Sequence, residues 1–291
     1  MNQHGGIAQT LPRRTMLAAA GAALLGGVGT GALVAARPSQ AAGYTLVWDN
    51  WGPLAGYGVN AECNPGGGSF PCDGSDVAIQ HLSGYTAVTA NPRGRITFVN
   101  AIGNRRFTDR TPDQQPLRLT SYEYVFAVRL PLVPSRDTAP WFPEQIHQMI
   151  QFWDGSERLW DSNKRTMEAA AFWKLNPWDP NFGKIFIYSR DASDNLIAVD
   201  TGFMPRLDTN WHIFDLHADL ASQTYAGLLI DGLRVPNVQG RPLAWISHPD
   251  WGSDVTLILT AESENAYPGS QNPIVTQWTT QFRDPKLYRF D

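Results

Sequence analysis

The stretch Ser121-Tyr-Glu-Tyr-Val-Phe-Ala-Val-Arg-Leu130 sets Tyr122, Tyr124, Phe126, Val128 and Leu130 at every second position. Successive side chains of an extended chain alternate between two faces, so this spacing predicts a β-strand with one face in a core. Working outward, similar short runs rich in β-branched and aromatic residues fall at 44–48, 84–89, 95–99, 166–175, 184–189, 211–216, 225–230, 255–262 and 281–290. Turn pairs such as Asn91-Pro92, Asp154-Gly155, Asp231-Gly232 and Pro268-Gly269 separate them. The segment 141–152 fits either a short helix or a strand approached through Pro143. About a dozen strands in roughly 250 residues suit one all-β, two-sheet jelly-roll sandwich better than an immunoglobulin domain of about 100 residues.

Composition narrows the function. Only 17% of the 291 residues are charged, which argues against disorder and coiled coil. Eleven tryptophans are the strongest compositional signal, since flat indole faces suit both a core and the stacking of sugar rings. Arg13 and Arg14 stand before an uncharged run of Ala, Gly and Leu over 15–36, and Ser39-Gln40-Ala41 offers small residues for cleavage. Residues 1–41 thus resemble a twin-arginine (Tat) export signal, leaving 42–291 as a single secreted domain at the cell-envelope exterior with no membrane partner. Removing that segment takes away Arg13, Arg14 and Arg37 and no carboxylate, so the remainder is more acidic than the full chain's −4 and nucleic acid is not an expected partner. Cys63 and Cys72, in a Pro- and Gly-rich loop, are expected to form a local disulfide outside the cytoplasm.

The stretch Trp211-His-Ile-Phe-Asp-Leu-His-Ala-Asp-Leu-Ala-Ser-Gln-Thr-Tyr-Ala-Gly-Leu-Leu-Ile-Asp-Gly232, with a closing strand at 282–290, resembles the concanavalin A-like lectin/glucanase superfamily. The resemblance implies a fold; activity must come from a site grafted on it. Gln145-Ile146-His147 is similar to a strand of the superfamily's alginate-lyase-like members. There, the resemblance implies, Gln neutralises a uronate carboxylate, His takes the C5 proton and a Tyr completes the pair. Tyr188 is the matching Tyr, and Arg165 or Arg190 could add a cation. That group's Arg-x-Glu-x-Arg strand is absent from this chain, and 182–188 only loosely echoes its Tyr-containing strand.

Hydrolysis is the other open chemistry. It needs two carboxyl groups about 5–9.5 Å apart; Glu262 and Glu264, two apart on one strand face, and Glu168 are the candidates. The Glu-x-Asp-x-x-Glu strand of the superfamily's bacterial glucanases is missing. Trp153, Trp160, Trp173 and Trp178, with Arg165, are expected to line a polysaccharide-binding groove. Asp73, Asp76, Asp161 and Asn163 place oxygens at short spacing without the ligand density of a calcium loop, so calcium has no support and no cofactor is expected. His212 and His217, five apart on a strand, are expected on opposite faces. Two readings follow: a polysaccharide lyase or glycoside hydrolase, or a non-catalytic carbohydrate-binding or envelope-associated module.

Overall fold

The computed structural model describes residues 43–50, 53–54, 57–64, 70–71, 77–90, 98–137, 145–155, 165–247, 254–264 and 278–290, all within the unit Gly31–Asp291. These residues contain strands and turns and no helix. One sheet has eight strands. Its path runs from β14 (Leu233–Arg234) through β13 (Thr224–Ile230), β12 (His212–Asp219), β7 (Ser121–Arg129), β17 (Trp278–Phe290) and β5 (Tyr85–Ala90) to β4 (Val77–Leu82), with β1 (Tyr44–Asp49) also paired to β17. The other has nine. It runs from β11 (Leu196–Asp200) through β10 (Ile185–Arg190), β9 (Arg165–Lys174), β8 (Gln145–Asp154), β16 (Val255–Glu264), β6 (Phe98–Thr108) and β2 (Gly58–Asn64) to β3 (Phe70–Pro71), with β15 (Ala244–Ser247) also paired to β9. Neighbouring strands are antiparallel throughout, and the all-β, two-sheet jelly roll expected from the sequence is the architecture observed.

The period-two pattern of β7 works as predicted. Tyr122, Tyr124, Phe126 and Val128 are fully buried, while Ser121, Glu123, Val125 and Arg129 on the other face are partly exposed. Phe126 stacks on Phe214 of β12 at 5.9 Å and meets Phe282 of β17 edge-on at 5.6 Å. From the nine-stranded sheet, Ile146, Ile150, Phe152, Met167, Trp173, Leu257 and Leu259 join the same core. Burying each large side chain of this kind contributes roughly 1.5–3 kcal/mol. The segment 145–154 is a strand rather than a helix, because it is hydrogen-bonded on both sides, to β9 and to β16. Its near-continuous burial reflects cover on both faces, which blurs the alternation that marks an ordinary strand. At the β13–β14 turn, Asp231 and Gly232 both have positive φ (53° and 75°), the conformation a tight two-residue hairpin requires.

Candidate functional site

Alternation in β8 sends Ile146, Gln148, Ile150 and Phe152 into the core and Gln145, His147, Met149, Gln151 and Trp153 to the sheet's outer face. Register then decides what stands beside each. Glu262 of β16 lies directly opposite His147 on one side, and Phe172 of β9 on the other. One row along, Gln145 lies between Glu264 and Lys174, and further down Gln151 lies between Ile258 and Glu168. Directly opposed residues in antiparallel strands have α-carbons about 5 Å apart, so the Glu262 carboxylate is within reach of the His147 ring.

The outer face of a two-layer sandwich ordinarily meets water. Here Gln145, His147, Glu168, Lys174 and Glu262 are only 1–6% exposed. Withdrawing such groups from water is costly unless they find partners. Lys174 Nζ donates to Gln145 Oε1 and lies 5.4 Å from the centre of the Phe172 ring. Gln151 Nε2 donates to Glu168 Oε2 at 2.7 Å. The rings of His147, Phe172, Phe186 and Tyr188 form a continuous strip: His147 to Phe172 at 5.4 Å, Phe172 to Phe186 at 5.6 Å and Phe172 to Tyr188 at 4.8 Å. His147 and Tyr188 meet edge to face at 6.5 Å. A base, a hydroxyl, a carboxylate and a buried cation thus share one aromatic-walled patch.

The other expected residues distribute as follows. Trp153 is on the same outer face, with the Arg106 guanidinium 5.8 Å from its ring centre. Trp173 is a core residue, fully buried against Phe214 and His212, with its indole N–H donating to Gly183 O at 3.1 Å, so it does not line the outer face. Trp178 is half-buried in the turn after β9. Arg165 and Arg190 both pack over Trp245, at 4.8 and 4.6 Å, and Arg190 donates to the backbone oxygens of Asp194 and Trp245. The cation beside the Gln-Ile-His strand is therefore Lys174, while Glu168 accepts a hydrogen bond from Gln151. Glu168 and Glu262 sit two strands and four residues apart, about 16 Å between α-carbons, too far for a hydrolytic carboxyl pair. Glu264 of β16 is in register with Gln145. Cys63 lies on β2 opposite Phe70 of β3. Cys72, Trp160, Asp73, Asp76, Asp161, Asn163 and residues 1–41 lie outside the described residues. His212 and His217 do fall on opposite faces: His212 bonds Asp231 at 2.7 Å on the core side, and His217 is on the outer side.

No family model matches this chain, and no curated protein is similar to it in sequence. Solved structures of similar shape include SCLam, a non-specific endo-β-1,3(4)-glucanase from family GH16, at 10% identity over 86% of this chain and 92% of that one, with a TM-score of 0.42. LamAcat from Zobellia galactanivorans is 13% identical over 84% and 97% of the two chains, with a TM-score of 0.45. Alginate lyase vAL-1 from Chlorella virus is 10% identical over 80% and 91%, with a TM-score of 0.40. At these scores the likeness adds nothing to the architecture, which stands on the strand order itself.

Proposed function

We propose that this chain is a carbohydrate-active enzyme that cleaves a uronate-containing polysaccharide by β-elimination on the outer face of the nine-stranded sheet. The observation that carries the reading is the His147–Tyr188 pair, set edge to face beside a buried cation, Lys174, that is held on Gln145. Abstraction of a proton next to a carboxylate becomes easier when that charge is neutralised, and Lys174 with the Gln145 amide supplies the neutralising field. His147 takes the C5 proton, and the electron pair left behind forms the C4–C5 double bond as the C4–O bond breaks. Tyr188 gives its proton to the departing oxygen. Glu262, opposite His147, orients the ring and stabilises its protonated form. Trp153, partly exposed on the same face, offers an apolar surface for a neighbouring sugar. Export on residues 1–41 belongs to the same reading, and N-terminal sequencing of secreted protein beginning at or near Ala42 would bear it out.

The test is incubation of the purified protein with neutral and uronate-containing polysaccharides, following new reducing ends and ultraviolet absorbance together. β-Elimination raises both, because the product carries a conjugated double bond. His147→Ala and Tyr188→Phe should each lower the rate about 100-fold or more while the protein stays folded. Reducing ends without absorbance would mean hydrolysis and would turn attention to Glu262 and Glu264. Retention on a polymer with neither signal would make the chain a binding module and overturn the enzyme reading.

A further inference from the structure

The opposite side of the molecule carries a second cluster that this reaction does not use. Asp215 and His217, two apart on β12, share the outer face of the eight-stranded sheet, and Glu123 of β7 stands opposite His217. His217 Nε2 is 2.9 Å from Asp215 Oδ1, and its Nδ1 is 3.8 Å from Glu123 Oε2. One ligand atom from each of the three residues lies within 4.8 Å of the others. The Asp215 side chain is only 4% exposed, and its close partner is the His217 imidazole, whose other nitrogen faces Glu123. One imidazole between two largely buried carboxylates is an arrangement that a cation resolves.

We propose that Glu123, Asp215 and His217 form a binding site for a divalent transition-metal ion, with zinc as the reference ion. Two ligand atoms on one tetrahedral zinc are about 3.4 Å apart, so modest side-chain movement closes the cluster on an ion. One imidazole nitrogen with two carboxylate oxygens suits zinc and its first-row neighbours, whereas calcium and magnesium prefer all-oxygen shells. Three protein ligands leave a fourth position for water. The Tyr44 ring, edge-on to His217 at 6.0 Å, walls one side. The ion would clamp β12 to β7 and is separate from the chemistry proposed for the other sheet.

Chelator-stripped full-length protein is titrated with zinc chloride, and with calcium and magnesium in parallel. Zinc at about 100 times its Kd should raise Tm by roughly 5–10 °C, and the other two ions should not. Glu123→Gln and His217→Gln should each abolish that rise. A second measurement needs no variant: diethyl pyrocarbonate modification read peptide by peptide, in which zinc protects His217 and leaves the exposed His81 reactive. Absence of both the Tm rise and the protection in the wild-type protein overturns the proposal. So does a Tm rise that persists undiminished in both variants, or zinc protection that fails to include His217.

Discussion

Gln148 and Tyr225 each reach across the interior from one sheet to the other. Gln148 Nε2 donates to the backbone oxygens of Tyr124 and Phe214, at 2.7 and 3.1 Å. The Tyr225 hydroxyl accepts from Ala170 N at 2.9 Å and donates to Tyr188 O at 2.6 Å. Gln148→Leu leaves those carbonyls unsatisfied and should cost about 1–3 kcal/mol, read from the urea midpoint at unchanged slope. A second residue-scale device lies near the end of β17, where Arg289 Nη2 meets Asp113 Oδ2 at 3.1 Å. Burial opposes ionisation of Asp113, but hydrogen bonds from Thr111 and Arg289 outweigh it and hold its pKa below the ordinary 3.8. A folded-state value below the unfolded one means that the contribution is complete above the ordinary carboxylate range and is lost as pH falls through the depressed value. The stability gap between wild type and Asp113→Asn should therefore be present at pH 7 and shrink in strong acid. An equal gap at both pH values would refute the pairing's role.

Strands with one wet face were legible and strands with two covered faces were not. β7 shows its alternation plainly because Ser121, Glu123 and Arg129 occupy the face opposite its aromatic residues. Phe126→Ala at its centre should cost about 3–5 kcal/mol through the cavity it leaves between Phe214 and Phe282. Ile213→Ala on the outer face, where the side chain is 41% exposed, should change stability by less than about 0.5 kcal/mol. Denaturation of the two variants side by side checks the assignment of faces. β8 read ambiguously because its outer face is buried as well, which removes the polar half of the pattern. The two-residue strands β3 and β14, and the four-residue β15, are too short to show any period. They exist because longer neighbours offer them hydrogen bonds.

At the scale of the molecule, chain order and spatial order diverge. β17, last in sequence, lies inside its sheet, paired to β7 on one side and to β5 and β1 on the other. Deleting residues 278–290 removes Trp278, Phe282 and Leu287 from the core as well as those pairings, so the truncated chain should lose its cooperative urea transition, whereas retention of that transition would contradict the topology. The candidate site is equally non-local. Gln145, Lys174 and Glu262 come from three strands and meet only because β8 pairs with both β9 and β16. The sequence by itself determined the all-β class, the position and inward face of the main strands, and the separation of His212 from His217. These follow from alternation, which is local and is written in neighbouring residues. Only the tertiary structure decided that Glu262 stands opposite His147, that Lys174 holds Gln145, that Trp173 belongs to the core, and that Glu123 joins Asp215 and His217. The reason is register: which residues of distant strands stand opposite one another is set by the hydrogen-bond ladder and by core packing together, and no stretch of a dozen residues encodes it.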